Sequence, residues 1–557
     1  MKTHKEYKLS DQYLFRQGIT VMAVFAAVLS PFAPLVGSVS PALEPVTQGP
    51  TTVPGLAAEQ ALDTRPNIVL IMADDLDARL NTLDYTPYIR TFVQEAGVTF
   101  ENALVPVSLC CPSRVSLLRG QYVHNHQVLS NGPPDGGFQK ATELNLEQTT
   151  LATVLQDAGY RTALMGKYLN GYPFTDALTY IPPGWNEFYS PSSDAAYFGF
   201  NYTLNANGTL VSYGAAPEDY MTDVLSRTAV NFITRTAGAG APFFLYVNTY
   251  APHGPSTPAP RHSGLFTDVI APRTPSFNEA DMSDKPPLIS ALPLLTVTQI
   301  AELDVKYRQR LRSMQAVDEM VAGVIDALAN SGILTNTYII FTSDNGYHMG
   351  QHRLPAGKYT NYEEDLRVPL IVRGPGVPVS QTSDALVSTI DLLPTFAEIG
   401  QTSIPTFADG RSLLPLFGGS PPAWRQVFFL EQYPFSSQFD DPTLRGGLLE
   451  PDEPDQTWKA MEKPDSACLK TTNPKPIYTG LRGVRYKYVE HHACDLEIYD
   501  LQTDPYELNN LIGLTGSVTR TLLADWLRVM TTCVAASCRA FEMGPPVSVF
   551  LPATLRN

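Results

Sequence analysis

Asn67-Ile-Val-Leu-Ile-Met72 is an unbroken apolar run that ends in two adjacent carboxylates, Asp74 and Asp75. A short run without polar alternation suits a parallel strand buried on both faces. Carboxylates at the carboxyl end of such a strand stand where ligands bind in open α/β sheets. The pattern recurs. Tyr160-Arg-Thr-Ala-Leu164 leads into Gly166-Lys167-Tyr168, and Phe243-Phe-Leu-Tyr-Val-Asn248 into Ala251-Pro-His253. Tyr338-Ile-Ile-Phe341 leads into Ser343-Asp344-Asn345-Gly346, and Val368-Pro-Leu-Ile-Val-Arg373 is a further run. Helical patterns alternate with these runs, at 150–159, 218–235, 299–330 and 388–399. Another opens at Thr86-Pro87, with Ile89, Phe92, Val93 and Ala96 as its apolar face and Gly97 as a C′ glycine. The alternation predicts an α/β fold, a large and mainly parallel sheet sandwiched by helices.

A chain of 557 residues exceeds what one core usually supports, and the texture changes near residue 411. There Tyr478–Tyr488 and Leu496–Leu501 alternate like antiparallel strands, and 519–532 reads as a helix. Residues 65–410 are therefore read as the catalytic domain and 411–557 as a smaller C-terminal α+β subdomain. Residues 254–297, rich in Pro and Ser, read as a long loop over the cleft. Residues 1–42 combine Lys2, Lys5, Lys8 and Arg16 with an apolar stretch at 19–36 and a small, Pro-rich exit. This describes a signal peptide and hence a secreted, periplasmic or lumenal protein. A membrane anchor through residues 19–36 is the alternative, and Pro31 and Pro34 weaken it. Residues 43–64 read as a linker.

The formal charge of −16 argues against nucleic acid as a partner and leaves any anionic substrate to local cations. Of six cysteines, Cys468, Cys494, Cys533 and Cys538 lie near the end and suit two disulfides in an oxidising compartment, Cys533 with Cys538 and Cys468 with Cys494. Zinc is the competing reading, but no pair has the short spacing of a structural zinc site. Cys110 and Cys111 stand apart, in Ser108-Leu-Cys110-Cys111-Pro112-Ser113-Arg114-Val-Ser-Leu-Leu-Arg-Gly120. Pro112 suits the first turn of a helix starting there. Spacing of i to i+4 then sets Cys110 near Arg114, at the positive end of the helix dipole. A buried Cys pair with a solvated Arg is the plain alternative.

Each polar strand end alone has an ordinary explanation as a turn or helix cap. Together Asp74, Asp75, Asp344 and the amide oxygen of Asn345 would make an oxygen-only site suited to Ca²⁺ or Mg²⁺. Arg114, Lys167 and Lys358 could spread positive charge over a tetrahedral anion, and these electrostatics suit sulfuryl, phosphoryl and phosphonyl transfer nearly alike.

The string Cys110-x-Pro112-Ser113-Arg114 with its following Leu and Gly resembles the signature of type I sulfatases, and the likeness extends over about residues 66–415. It implies an alkaline-phosphatase-like fold. It implies that Cys110 is oxidised by a formylglycine-generating maturation enzyme to Cα-formylglycine, whose hydrate is the nucleophile, with Cys111 at the variable position. It places Asp74, Asp75, Asp344 and Asn345, together with residue 110, around a metal, usually calcium. It gives Arg114, Lys167, His253 and Lys358 the binding of sulfate, with His253 or Lys358 as proton donor. Many members read Gly-Lys-x-His, whereas Gly166-Lys167-Tyr168-Leu169-Asn170 has no His there. That departure, with Cys110-Cys111-Pro112-Ser113-Arg114, His124-Asn125-His126 and Asp344-Asn-Gly-Tyr-His348-Met-Gly-Gln351, is similar to N-acetylglucosamine-6-sulfatases. On that resemblance His348 sits near the sugar, a surface-loop His being the plain alternative. The expected activity is hydrolysis of a sulfated carbohydrate or an aryl sulfate. The alternatives are a phosphonate or phosphate ester hydrolase on the same fold and an inactive binder of sulfated glycan.

Overall fold

The structure, a computed structural model, describes residues 63–173, 177–418, 423–434, 476–492 and 494–545. The signal or anchor segment, most of the linker and Cys468 lie outside the described residues. Among the described residues no helix is long and apolar enough to cross a membrane.

The first eight strands are β1 (Asn67–Asp74), β2 (Val98–Leu104), β3 (Arg161–Gly166), β4 (Glu187–Pro191), β5 (Thr203–Ala206), β6 (Thr209–Ser212), β7 (Phe243–Pro252) and β8 (Thr337–Ser343). A two-stranded ribbon, β9 (His348–Met349) and β10 (Ala356–Gly357), precedes β11 (Leu370–Arg373) and β12 (Gln381–Ser388). Ten strands form one sheet in the order β12-β2-β11-β8-β1-β7-β3-β4-β5-β6. All but β5 and β11 run in one direction, so the sheet is mixed with most strands parallel, as expected. The order places β1 at the centre, between β7 and β8.

Successive residues of a strand point to opposite faces, and β1 feeds two cores. Ile68, Leu70 and Met72 pack with Val115, Leu117 and Leu392, from helices Cys110–Arg119 and Leu392–Ile399. Val69, Ile71 and Ala73 pack with Val224, Val317 and Met320, from helices Met221–Thr236 and Val297–Asn330. Every residue of β1 is buried, which is why its sequence carries no alternation. The long helix starts at a capping box, in which the side chains of Thr296 and Gln299 each accept a backbone N–H of the other residue.

Two sequence expectations need correction. The helix after Thr86 is one short α-turn, Pro87–Ile89, running into a π-turn, Arg90–Gln94, and Thr86 does not cap it. Its Oγ1 instead donates to the Leu83 carbonyl, and the helix is tied down by Asp318 of the long helix, which accepts the N–H groups of Tyr88 and Ile89. Gly97 is not a left-handed cap. A Cβ there would lie 2.1 Å from the carbonyl oxygen of Val372 in β11, so it is the close approach of backbones that demands glycine.

The C-terminal region contains an antiparallel sheet, β13 (Val427–Gln432), β14 (Tyr478–Gly483), β15 (Tyr486–His491) and β16 (Leu496–Asp500), with helix Ser517–Met530. Phe428, Tyr478, Val489 and Tyr499 of this sheet share a core with Tyr122, Tyr362, Leu366 and Trp526. The sheet thereby backs the segment 358–366. Cys533 and Cys538 form a disulfide, which removes zinc as a reading for that pair. Cys494 is also disulfide-bonded.

Candidate active site

Helix Cys110–Arg119 begins two residues before Pro112. Cys110 itself is therefore in the first turn, where the helix dipole favours negative charge. Pro112 remains in that turn, where it has no N–H to leave unpaired. The Cys111 N–H, which has no partner within the helix, donates to Asn131 Oδ1 at 2.9 Å. Gly120 closes the helix at φ +63°. Both cysteines are buried, and neither is in a disulfide.

The ends of β1, β3, β7 and β8 converge on Cys110. At the end of β1 the register with β7 shifts between Met72 and Asp74, and Asp75 takes φ +63°, a strained value that Asp tolerates better than most residues. The shift turns both carboxylates toward the helix start. Cys110 Sγ lies 3.5 Å from Asp74 Oδ1 and 3.8 Å from Asp75 Oδ1. Lys167, just after β3, donates to Asp74 Oδ2 at 2.8 Å. Lys358, after β10, lies 2.7 Å from Asp75 Oδ1 and 2.7 Å from Cys110 Sγ. Arg114, 1 % exposed, donates from Nε to Asp344 Oδ2 at 2.8 Å and pairs with Asp74 Oδ1 at 3.6 Å. It also reaches the Lys167 carbonyl and Asn248 Oδ1. His253, after β7, gives its Nδ1–H to the Gly254 carbonyl at 2.8 Å, and its Nε2 is 3.6 Å from Asp75 Oδ2. Cys110, Arg114, Lys167, His253, Lys358, Asp74, Asp75, Asp344 and Asn345 thus meet in one buried cluster.

Charge balance sets the state of these groups. Burial opposes ionisation of Asp74, but Lys167, then His253 and Arg114, outweigh it and hold its carboxyl below the usual range. Burial likewise acts against Asp75, and Lys358 and His253 keep it ionised. Asp344 is pushed up by burial and by Asp74, despite Arg114. Burial works against the Arg114 cation, yet Asp344 and Asp74 hold it firmly protonated.

Candidate ligand atoms of Asp74, Asp75, Cys110 and His253 lie within 4.8 Å of one another. Asp75 Oδ2 and Asn345 Oδ1 are buried and have no hydrogen-bond partner. Asn345 Nδ2 donates to Asp75 Oδ1 at 2.8 Å, which sets the amide nitrogen toward that carboxylate. Carboxylate and amide oxygens in this condition fit a hard divalent cation.

His348 is 1 % exposed, so it is not a surface-loop histidine. Its Nδ1 bonds to Asp365 at 2.9 and 3.0 Å, and Asp365 accepts the Thr360 N–H at 2.8 Å. A Cβ on Gly357 would come within 3.2 Å of His348 Nε2. The ring therefore braces the segment that carries Lys358. Asn170 is buried, and its carbonyl accepts the Phe138 N–H. Asn131, Tyr197 and Asn248 are at the site and were not read from sequence. Asn248 ends the run read from sequence, which the structure extends as β7 to Pro252, and is signalled by position alone. Tyr197 lies in an irregular turn that carries no motif.

The sequence model described as Sulfatase matches residues 66–401, more than half of the chain. An N-acetylglucosamine-6-sulfatase of Capra hircus is 35% identical over 500 residues, which is 88% of this chain and 87% of that protein. A protein of Caenorhabditis elegans named putative extracellular sulfatase Sulf-1 homolog is 38% identical over 358 residues, 64% of this chain and 49% of its own length. A solved structure described as in complex with its substrate D-glucosamine-2-N,6-O-disulfate superposes with a TM-score of 0.63 at 24% identity, covering 84% of this chain and 98% of that one, and supports the fold. A buried, metal-fitted cluster of cations around Cys110 and these matches lead to one conclusion: the chain belongs to the sulfatase family and is an enzyme that hydrolyses sulfate esters.

Proposed function

We propose that the chain removes 6-O-sulfate from N-acetylglucosamine-type residues of a sulfated glycan, and that simple aryl sulfates report the same chemistry. The carrying observation is Cys110, buried between Asp74, Asp75 and Lys358 at the start of its helix. The substrate class is supported by 35% identity to an enzyme named for that activity. The proposal includes conversion of Cys110 to Cα-formylglycine by a maturation enzyme, and Ca²⁺, or Mg²⁺, held by Asp74, Asp75, Asp344 and Asn345.

The hydrated aldehyde supplies one hydroxyl to attack sulfur and a second to expel sulfate as the carbonyl reforms. The cation, when bound, polarises a sulfate oxygen. The chain's own groups do the rest. Lys167 and Arg114 on the Asp74 side, and Lys358 on the Asp75 side, bracket residue 110 with positive charge. Such preorganised cations favour the charge that grows on sulfate oxygens in the transition state. His253 has its Nδ1–H fixed on a backbone carbonyl, so a proton carried at Nε2 is the one in position to reach the leaving oxygen. Lys358 is the alternative donor. His348 acts from beneath the Lys358 segment. The N-terminal stretch and the disulfides fit secretion. Residues 65–410 carry the chemistry, and the described strands of the C-terminal region back it.

Steady-state rates on paired 6-O- and 2-O-sulfated sugars, and on paired aryl sulfate and aryl phosphate, test this reading. Preference for the 6-O-sulfated sugar and for sulfate supports it. Preference for the 2-O-sulfated sugar overturns the sugar assignment. Preference for phosphate or phosphonate esters overturns the reaction, and binding without turnover would mark a glycan binder.

A further inference from the structure

The turn Asp194–Phe198 lies between β4 and β5, toward one edge of the sheet, yet it delivers one side chain to the site. Tyr197 is 7 % exposed, whereas its neighbour Phe198 is 53 % exposed. The ammonium of Lys167 lies 5.0 Å from the centre of the Tyr197 ring. The imidazole of His253 packs on the same ring at 4.7 Å between centroids, tilted by 48°. Tyr250 meets that ring edge-on at 4.8 Å and fixes its plane. One aromatic ring therefore touches two groups that arrive from different strand ends, β3 and β7.

Each contact has a definite physical effect. A buried ammonium over an aromatic face is attracted by the ring quadrupole, and the attraction strengthens when water is excluded. Lys167 is thus held from two directions, by Asp74 at 2.8 Å and by the ring. His253 is tied by its Nδ1 to Gly254, and its Nε2 lies 3.6 Å from Asp75 Oδ2. The Tyr197 ring adds a packing contact that limits rotation of the imidazole. Behind the pair lies a cavity of about 20 Å³, lined in part by Tyr197, Tyr250, His253 and Ser256. Removing the ring would enlarge this space beside His253 and take away the aromatic face next to Lys167.

We propose that Tyr197 is a positioning residue for desulfation, setting the Lys167 ammonium and the His253 imidazole relative to each other. The inference rests on the reading that these two groups engage the sulfate ester. It assigns Tyr197 no contact with the reacting atoms. The function needed is an aromatic face, so phenylalanine should serve and aliphatic residues should not.

The test compares Tyr197→Phe, Tyr197→Leu and Tyr197→Met in the full chain, using an aryl sulfate and competitive inhibition by inorganic sulfate. Thermal unfolding is measured alongside, and Phe198→Ala serves as a control on the same turn. Tyr197→Phe and Phe198→Ala should stay within about 3-fold of the parent in kcat/KM. Tyr197→Leu and Tyr197→Met should lose about 10-fold or more, the scale set by a desolvated cation–π contact. Their sulfate inhibition should weaken in parallel, with the melting temperature of at least one of them near that of the parent. If Leu and Met retain parental kinetics, or if Phe falls as far as they do, the positioning role is overturned. Loss of activity that tracks loss of folded protein in both aliphatic variants would also overturn it. Lys167→Ala and His253→Ala separate the two levels. If these keep activity, the reading of the site fails; if they lose it while Tyr197→Leu does not, only the inference about Tyr197 fails.

Discussion

Lys358 stands 2.7 Å from both Cys110 Sγ and Asp75 Oδ1, joining the reactive position to a carboxylate of the metal-fitted set. The contact is fully buried, so its charge acts at low dielectric. Lys358→Met keeps the stem and removes the cation. It should lower kcat for an aryl sulfate by about 10²–10³-fold, the range found when one preorganised donor to a developing oxyanion is lost. Single-turnover kinetics give the check, and a change below about 3-fold would place Lys358 outside the reaction.

Chelation should abolish turnover, because Asp75 Oδ2 and Asn345 Oδ1 are buried oxygens without hydrogen-bond partners. Ca²⁺ or Mg²⁺ should restore it, since the donor set is oxygen-rich and hard. Restoration by Zn²⁺ alone would point to a different donor set. Asp344→Ala should remove most activity and also destabilise the fold, because it leaves the buried Arg114 without its 2.8 Å partner. Breaking such a pair costs about 3–5 kcal/mol.

Acid sensitivity should report the joint between the C-terminal sheet and the Lys358 segment. Glu497 in β16 accepts hydrogen bonds from His491, Asn361, Tyr362 and Tyr499. Burial works against its ionised form, but the hydrogen bond and charge of His491, with Tyr499 and Lys487, bring its pKa down from 4.5 to about 2. A carboxyl lowered on folding stabilises the protein fully above its unfolded pKa, and that stability is lost as pH falls toward 2. The contribution is about 3 kcal/mol at neutral pH. Denaturant unfolding of Glu497→Gln and parent at pH 7 and pH 3 should show a gap that narrows in acid. A gap that widens in acid would contradict the assignment.

The Cys533–Cys538 disulfide should matter to stability and not to chemistry. Its Cys533 carbonyl receives hydrogen bonds from His124 and Asn125, so the bridged turn clamps the segment that follows the catalytic helix. Closing so short a loop contributes about 2 kcal/mol through the unfolded chain. Cys533→Ser paired with Cys538→Ser should lower Tm by a few degrees and leave kcat/KM for an aryl sulfate within about 2-fold. A large kinetic loss would show that the clamp reaches the site.

Central strands were legible because burial on both faces leaves an apolar run, as in Ile68–Met72 and Ile339–Phe341. Strands toward the sheet edges were not. Val98–Leu104 and Gln381–Ser388 mix buried and exposed positions with polar residues, and Thr209–Ser212 is exposed throughout. Charged site residues other than Lys358 were readable because each ends or follows a recognised strand or sits in a motif; Lys358 follows the two-residue strand β10, which carries no sequence pattern, and came from the family resemblance. Tyr197 was not, since its place depends on how an irregular turn folds back over β3 and β7. His348 was assigned to the sugar by motif, while its burial and its bond to Asp365 come from tertiary packing that spacing does not encode.

The central claim is that residue 110 works as an aldehyde hydrate held by Lys358 and the carboxylates. A serine or cysteine nucleophile would leave a sulfated enzyme that needs water to attack sulfur, whereas a geminal diol can eliminate sulfate with its second oxygen. Peptide mass spectrometry of active protein tests this directly, combined with labelling by an aldehyde reagent. The Cys110 peptide should be lighter than encoded and take the label, Cys111 should stay a thiol, and activity across preparations should scale with the labelled fraction. Full turnover by protein whose Cys110 is an unmodified thiol would contradict the account.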